Sequence, residues 1–110
     1  MLRLVPLLLL AACARGNGPA GCAPAAARLE NLSGRAVEQL YLSPAGAPWG
    51  ADLVSRDALP SGAGRPLQFE GGGPYALRVV WVNGQAAELR GIDGCTTLRI
   101  TIRDSGLRAE

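Results

Sequence analysis

The chain contains no histidine and no lysine, and it has only three cysteines among its 110 residues. Without histidine, the Ser-His-Asp and Cys-His pairs of nucleophilic catalysis and every imidazole metal site are excluded. Without lysine, Schiff-base chemistry and the lysine of a phosphate-binding loop are excluded as well. Carboxylates are the catalytic groups that remain, and the sequence shows no recognisable pair of them. These absences predict a protein that is not an enzyme and that holds no metal and no cofactor.

All eleven cationic side chains are arginines, the formal net charge is +2, and the arginines are spread along the chain. Nucleic-acid-binding proteins concentrate basic residues on one face or helix, so this distribution predicts no nucleic-acid partner. Arg99 and Arg103 fall on one face of a predicted strand, and Arg108 follows them. Two interpretations of this short basic stripe stay open, a solvated sheet face and an anion-binding face.

The first thirteen residues have the organisation of an export signal. Arg3 supplies a positive charge, residues 4–10 form an apolar stretch, and Leu10-Ala11-Ala12-Cys13 resembles the lipobox of bacterial lipoproteins. The apolar stretch is much shorter than the ~20 residues of a transmembrane helix. The resemblance implies cleavage before Cys13, lipidation of that cysteine, and anchoring in the bacterial cell envelope, by default at the outer membrane facing the periplasm. Two alternatives stay open, a soluble product secreted after cleavage at Ala12-Cys13-Ala14 and a cytoplasmic chain.

The number of cysteines agrees with export. An odd number in an exported protein requires an explanation, and lipidation of Cys13 leaves the pair Cys22 and Cys95. An oxidising envelope compartment permits a disulfide between them, and the chain-entropy model assigns a loop of that length about 4 kcal/mol of stabilisation. Two free thiols are the alternative, because sequence alone proves no connectivity.

Composition divides the chain into four segments. We expect a signal peptide at 1–12, the lipidated cysteine with a flexible tether at 13–27, a β-domain at 28–103 and a frayed tail at 104–110. The tether is rich in alanine, glycine and proline, and as a flexible coil it would span roughly 20 Å. A domain of this size buries only ~60% of its unfolded surface, so a cross-link would matter for its stability.

Glycine and proline interrupt the chain about every ten residues, and the segments between them are short and β-branched or alternating, which predicts an all-β fold. We expect a small antiparallel β-sandwich or open barrel of about six to seven short strands. The clearest candidates span residues 29–32, 37–43, 67–70, 75–82, 85–90 and 95–103. In the last of these, alternation places Leu98, Ile100 and Ile102 inward and Thr97 and Thr101 outward.

Asn83-Gly84 marks a hairpin turn. A two-residue loop would place Arg78 opposite Leu89 and would mix charge with core. A three-residue loop at 82–84, with Gly84 in a left-handed bulge, sorts the two faces instead. This preferred register pairs Trp81 with Gln85, Val79 with Ala87, Leu77 with Leu89 and Arg78 with Glu88.

Candidate ligand contacts lie in a long connection at residues 43–54. Trp49 is expected to fold back as a lid over the core, and contact with a ligand is the alternative. Asp52 is expected to cap a short turn, with ligand contact again the alternative. An acid or base role for Asp52, Asp57 or Asp93 would require two carboxylates ~5–9 Å apart across a concave pocket.

Several short motifs follow one another along the chain. They are Asn-Leu-Ser-Gly at 31–34, Leu-Tyr-Leu-Ser at 40–43, Trp-Gly-x-Asp-Leu at 49–53, the Asn83-Gly84 hairpin and Glu-Leu-Arg-Gly-Ile-Asp-x-Cys at 88–95. Their order resembles a group of small exported bacterial proteins of unknown function that are often labelled Tat-pathway signal proteins. The resemblance covers most of residues 29–102 and implies a small β-sandwich-like domain without an established activity. In that group a cysteine precedes the first hairpin strand; Pro74 lies in this region here, which makes Cys22 the substitute partner of Cys95.

Together these expectations describe an envelope-anchored lipoprotein whose small β-domain acts as a non-enzymatic binding or structural module. Its expected partners are the membrane, through the lipid anchor, and an envelope protein, peptide or glycan. A secreted soluble β-domain and a carboxylate-dependent hydrolase or lyase are the alternatives.

Overall fold

The computed structural model describes Cys22 and residues 26–110, which form seven β-strands and no helix. The strands are β1 (Ala26–Asn31), β2 (Val37–Pro44), β3 (Gly64–Gln68), β4 (Tyr75–Trp81), β5 (Ala86–Ile92), β6 (Arg99–Arg103) and β7 (Gly106–Ala109). Gly46 and Gly62 have positive φ and lie in connections, where residues with a side chain would be strained. The predicted all-β class is confirmed.

The strands form two sheets, with the order β3-β1-β6-β7 in one and β2-β4-β5 in the other. β1 and β6 run parallel, with Arg28 beside Arg99, whereas every other pair of named strands is antiparallel. The parallel pair differs from the purely antiparallel arrangement that we expected, because the partner of β1 comes from far along the chain and is not joined to it by a hairpin turn. The two sheets do not close on each other, so the protein is a small sandwich and not a barrel.

Alternating apolar side chains from both sheets meet in one core. Side chains without solvent exposure include Leu29, Leu40, Leu77, Val79, Ile100 and Ile102. Complete burial of one such side chain contributes about 1.5–3 kcal/mol relative to its exposure. At one end of the core the rings of Phe69 and Tyr75 pack with their centroids 5.0 Å apart. The apolar residues at every second position of the predicted strands therefore fill the interior of the sandwich.

The hairpin between β4 and β5 has the preferred register. Leu77 pairs with Leu89, Arg78 with Glu88 and Val79 with Ala87, and the Trp81 amide donates to the Gln85 carbonyl at 2.8 Å. Gly84 has a φ of 88°, as the left-handed bulge requires. The prediction of a three-residue loop is confirmed.

The predicted strand at 95–103 is only partly correct. Ile100 and Ile102 are buried as predicted, but β6 begins at Arg99, Leu98 is 73% exposed, and Thr97 and Thr101 are buried. Ahead of β6 the chain turns, because the Asp93 carboxylate accepts the Cys95 amide at 2.7 Å and the Asp93 carbonyl accepts the Thr97 amide at 3.1 Å. This turn breaks the alternation that the sequence pattern implied for residues before Arg99.

The tail predicted to be frayed is ordered. β7 pairs with β6, with Leu107 beside Ile102, and Leu107 and Ala109 pack against the core. The chain reverses over Asp104 and Ser105, and the Asp104 carboxylate accepts the Gly34 amide at 3.0 Å. The prediction for residues 104–110 is wrong because this short edge strand gains its order from pairing with β6 and from packing of Leu107 and Ala109 against the core.

Two further boundaries differ from the predictions. β1 begins at Ala26, inside the predicted tether at 13–27, and Ala27 is 4% exposed within the core. β3 covers Gly64–Gln68, earlier than the predicted strand at 67–70. The alanine-rich composition of the predicted tether did not indicate that a small residue such as Ala27 is buried in the core.

The connection at 45–63 closes the side of the sandwich between β2 and β3. Val54 and Leu59 are buried, and Leu59 forms an isolated β-bridge with Val37. Asp52 and Trp49, the two candidate contact residues, belong to this connection. Within the described part of the chain, no helix has the length and apolar character needed to cross a membrane.

Candidate functional site

The cysteines expected to pair form a disulfide. Cys22 and Cys95 are bonded, with their Cα atoms 5.7 Å apart and a separation of 73 positions in sequence. The bond fastens the chain ahead of β1 to the loop between β5 and β6. The predicted pairing is therefore confirmed, whereas Cys13, the predicted lipidation site, lies outside the described residues.

Asp52 holds the connection at 45–63 against β2. Its Oδ1 accepts the Leu40 amide and the Val54 amide, both at 3.0 Å. The Leu53 amide donates in addition to the Leu40 carbonyl at 2.8 Å. The bond to Val54 is the expected turn contact two residues along the chain. Asp52 therefore positions the loop, and one of its oxygens is occupied by the backbone.

Trp49 folds back as expected, but onto the outside of the sandwich and not over the core. Its ring lies beside Tyr41, with centroids 6.3 Å apart and planes tilted by 45°. Tyr41 stands between Leu40 and Leu42, whose side chains belong to the core, so it projects from the opposite face of β2. Trp49 is half-buried at this outer surface.

Polar side chains lie beside Tyr41 on the same sheet face. The Tyr41 hydroxyl donates to Gln39 Oε1 at 2.7 Å, and Arg78 is the cross-strand neighbour of Tyr41. Glu88 accepts from Arg78 at 2.7 Å and from Arg90 at 2.8 Å. We call Tyr41, Trp49, Arg78 and Glu88 the outer aromatic patch.

The loop above the patch buries part of the outer face. Ser43 Oγ accepts the Gly50 amide at 3.2 Å, and Ser43 and its cross-strand neighbour Ala76 are 3% and 4% exposed. Trp49 immediately precedes Gly50, so this anchoring fixes the position of its backbone. The ring is therefore presented by a held loop, which lowers the entropy that a binding event would cost.

The chain matches no family model, no curated protein and no solved structure. The candidate site consequently depends on its geometry alone. Tyrosine and tryptophan rings combine apolar area with a polar edge, and together with arginine they are enriched where proteins bind partners.

The three candidate acid or base carboxylates lie in separate surroundings. Asp57 lines an open surface cavity of about 580 Å³, in which Arg56 and Arg65 are the other charged residues. Asp93 lines a different cavity, of about 440 Å³, and is its only carboxylate. Across residues 26–110 and Cys22, no cluster of three or more cysteine, aspartate or glutamate side chains could hold a metal ion. No pair of carboxylates shares either of these two cavities.

Sequence reasoning missed a buried polar network where β1 ends, next to Trp81. Asn31 donates to the carbonyls of Arg35 and Leu59 at 2.8 and 3.0 Å, and its Oδ1 accepts from Ser33. Ser33 Oγ also accepts the Trp81 indole N–H at 2.9 Å. The sequence signal for this network is the Asn-Leu-Ser-Gly motif, in which an asparagine ends a strand and a serine begins a turn. The network satisfies backbone groups and is structural.

The basic stripe predicted from Arg99, Arg103 and Arg108 is larger than expected. β1 places Arg28 directly beside Arg99, on the outer face of the four-stranded sheet. The side chains of Arg28, Arg99 and Arg108 are 59%, 57% and 76% exposed. The parallel pairing of β1 with β6 therefore assembles basic residues that are far apart in sequence.

Proposed function

We propose that this protein is a lipid-anchored module of the bacterial cell envelope that binds an envelope peptide or glycan through the outer aromatic patch and catalyses no reaction. The observation that carries the proposal is the tilted contact of Trp49 with Tyr41, which lies outside the core on the outer face of the three-stranded sheet. Rings that fill a core need no other explanation, whereas a large ring held at the surface by a fastened loop is suited to contact a partner.

The charged residues beside the rings suit a partner with both apolar and polar groups. Arg78 and Arg90 both bind Glu88, so the patch offers donors and acceptors within a fixed arrangement. Saccharides and extended peptides present apolar faces edged by hydroxyl or amide groups. Such ligands would place their apolar face on Trp49 and Tyr41 and their polar edge toward Arg78 and Glu88.

Two observations support an envelope location. The N-terminal segment ending in Cys13 resembles a lipobox, and the disulfide between Cys22 and Cys95 is a bond that forms and persists in oxidising compartments. With Cys13 acylated, every cysteine of the chain would have a chemical role.

Intact-mass spectrometry of the protein from the membrane fraction tests the anchor. We expect a chain that begins at Cys13, carries the added mass of its acyl groups, and is two hydrogens lighter than the reduced form. Recovery from the cytosol with residues 1–12 uncut and all thiols reduced would overturn the proposal of an envelope lipoprotein.

Co-sedimentation with purified peptidoglycan sacculi tests the binding patch, because sacculi contain both peptides and glycans. We expect the Trp49→Ala variant to bind at least about tenfold more weakly than the natural chain. Leu32→Ala is the matched control, since Leu32 is a 44% exposed apolar residue outside the patch. Absence of binding by the natural chain, or equal binding by both variants, would contradict the assignment.

A further inference from the structure

We propose that a basic corner of the sandwich, formed by Arg28, Leu98, Arg99 and Arg108, docks on an anionic phospholipid surface. This inference rests on the proposed lipid anchor and assigns the membrane-facing side of the domain. The corner is distinct from the outer aromatic patch, which belongs to the three-stranded sheet, whereas the strands of the corner belong to the four-stranded sheet.

The corner is held together by strand pairing. Arg28 of β1 is the parallel neighbour of Arg99, the first residue of β6, and the Arg28 amide donates to the Leu98 carbonyl at 3.0 Å. Arg108 is the cross-strand neighbour of Thr101, on the next strand of the same sheet. These arginines therefore share one rigid sheet surface.

Two of the arginines, Arg28 and Arg99, retain free hydrogen-bonding capacity. Glu30 lies between two of them, with its carboxylate oxygens 3.9 Å from Arg28 Nε and 4.0 Å from Arg99 Nε. Glu110 lies 3.4 Å from Arg108 Nε. The two longer separations exceed a hydrogen bond, so the guanidinium groups of Arg28 and Arg99 keep donors for another anion. Guanidinium groups bind phosphate oxygens in pairs, which matches phospholipid headgroups.

The most exposed of the large apolar residues in the described part of the chain belongs to this corner. Leu98 is 73% exposed, and Arg99 follows it directly. An apolar side chain flanked by arginines is suited to the boundary between headgroups and acyl chains, where the leucine leaves water while the charges stay at the phosphates.

The covalent path from the proposed anchor leads to this end of the sandwich. Cys13 and Cys22 are only nine positions apart along the chain, and a chain of that length spans at most roughly 32 Å. Cys22 is bonded to Cys95, three residues before Leu98. An anchor at Cys13 therefore keeps this corner near the lipid, whereas the Asn83-Gly84 hairpin lies at the far end of β4.

Arginine modification on vesicles tests the docking with the whole acylated chain. The protein is reconstituted on vesicles of phosphatidylcholine alone or with phosphatidylglycerol and treated with phenylglyoxal, and the rate at each arginine is read by peptide mass spectrometry. Arg35, Arg56 and Arg90 are exposed arginines outside the corner and serve as internal controls. We expect phosphatidylglycerol to slow modification of Arg28, Arg99 and Arg108 by roughly fivefold and to leave the three controls unchanged.

Two results would overturn the docking proposal. One is equal modification rates at the corner on both kinds of vesicle, and the other is equal slowing at all six arginines. If the mass of the native protein shows no acyl group, the anchor fails separately, and docking is then measured by sedimentation of the unacylated chain with the same vesicles. In that case binding must be lost in the triple variant R28Q/R99Q/R108Q and kept in the charge-matched R35Q/R56Q/R90Q; any other pattern overturns the proposal.

Discussion

The two tryptophans of this chain lie on opposite faces of the same three-stranded sheet. Trp81 points inward from β4, is 7% exposed, and donates its indole N–H to Ser33. Trp49 belongs to the connection after β2 and lies half-buried on Tyr41, outside the core. The same residue type therefore performs two tasks, since one ring fills the interior and satisfies a buried hydroxyl while the other forms part of a surface that can receive a partner.

Replacement of Trp81 should show the largest effect on the stability of the fold. Trp81→Ala removes a buried ring and one donor to Ser33, so we expect a loss of about 3–5 kcal/mol in the free energy of unfolding. Urea unfolding followed by circular dichroism measures it. Trp49→Ala is the matched control, and a loss for Trp81→Ala no larger than for this control would end the distinction between the two rings.

Removal of Asn31 should have the next largest effect, because it breaks the network that positions Ser33 below Trp81. Asn31→Ala leaves the buried carbonyl of Leu59 and the amide of Ser33 without these partners, and we expect a loss of about 2–3 kcal/mol. The measurement is again the free energy of unfolding in urea. Gln68→Ala, a truncation of an exposed amide side chain in β3, provides the control and should change stability by less than about 0.5 kcal/mol. Equal losses in the two variants would show that the network is not a source of stability.

The regions that sequence predicted well are those in which a turn signal or a simple pairing rule determines the structure. The hairpin register that pairs Leu77 with Leu89 was predicted from the turn signal and from the separation of charged side chains from the core. The disulfide between Cys22 and Cys95 followed from cysteine number and the lipobox resemblance. Both predictions needed only local chemistry or a simple pairing rule.

The regions that sequence predicted poorly depend on strand pairings and loop contacts that no local pattern specifies. The order of β7 comes from its pairing with β6, and its isolated sequence carries too few apolar residues to indicate a strand. The neighbouring positions of Arg28 and Arg99 come from a parallel pairing that no turn specifies. The position of Trp49 depends on how Asp52 holds the loop against β2. The presence of a large ring in a loop therefore did not show which face of the sheet the ring covers.

Loosening of the loop that carries Trp49 should have a moderate effect. Asp52→Ala removes the acceptor shared by the amides of Leu40 and Val54, and we expect a loss of about 1–2 kcal/mol together with easier quenching of tryptophan fluorescence by acrylamide. The quenching reports on Trp49, since Trp81 is buried. Asp57→Ala changes an exposed carboxylate of the same connection and should alter neither quantity. Unchanged quenching in the Asp52→Ala variant would show that the ring is held by other contacts.

The smallest effect on stability is expected for Trp49 itself. Its contact with Tyr41 is a single aromatic pair at the surface, so Trp49→Ala should cost about 1 kcal/mol or less in the free energy of unfolding. The same variant should lose binding to sacculi, and Trp49→Phe, which keeps an aromatic ring, should retain part of it. Removal of a ring that stabilises the fold lowers the free energy of unfolding, whereas removal of a ring that contacts a partner lowers binding to sacculi. A stability loss above about 2 kcal/mol for Trp49→Ala, with binding unchanged after correction for the folded fraction, would place Trp49 beside Trp81 as a structural residue.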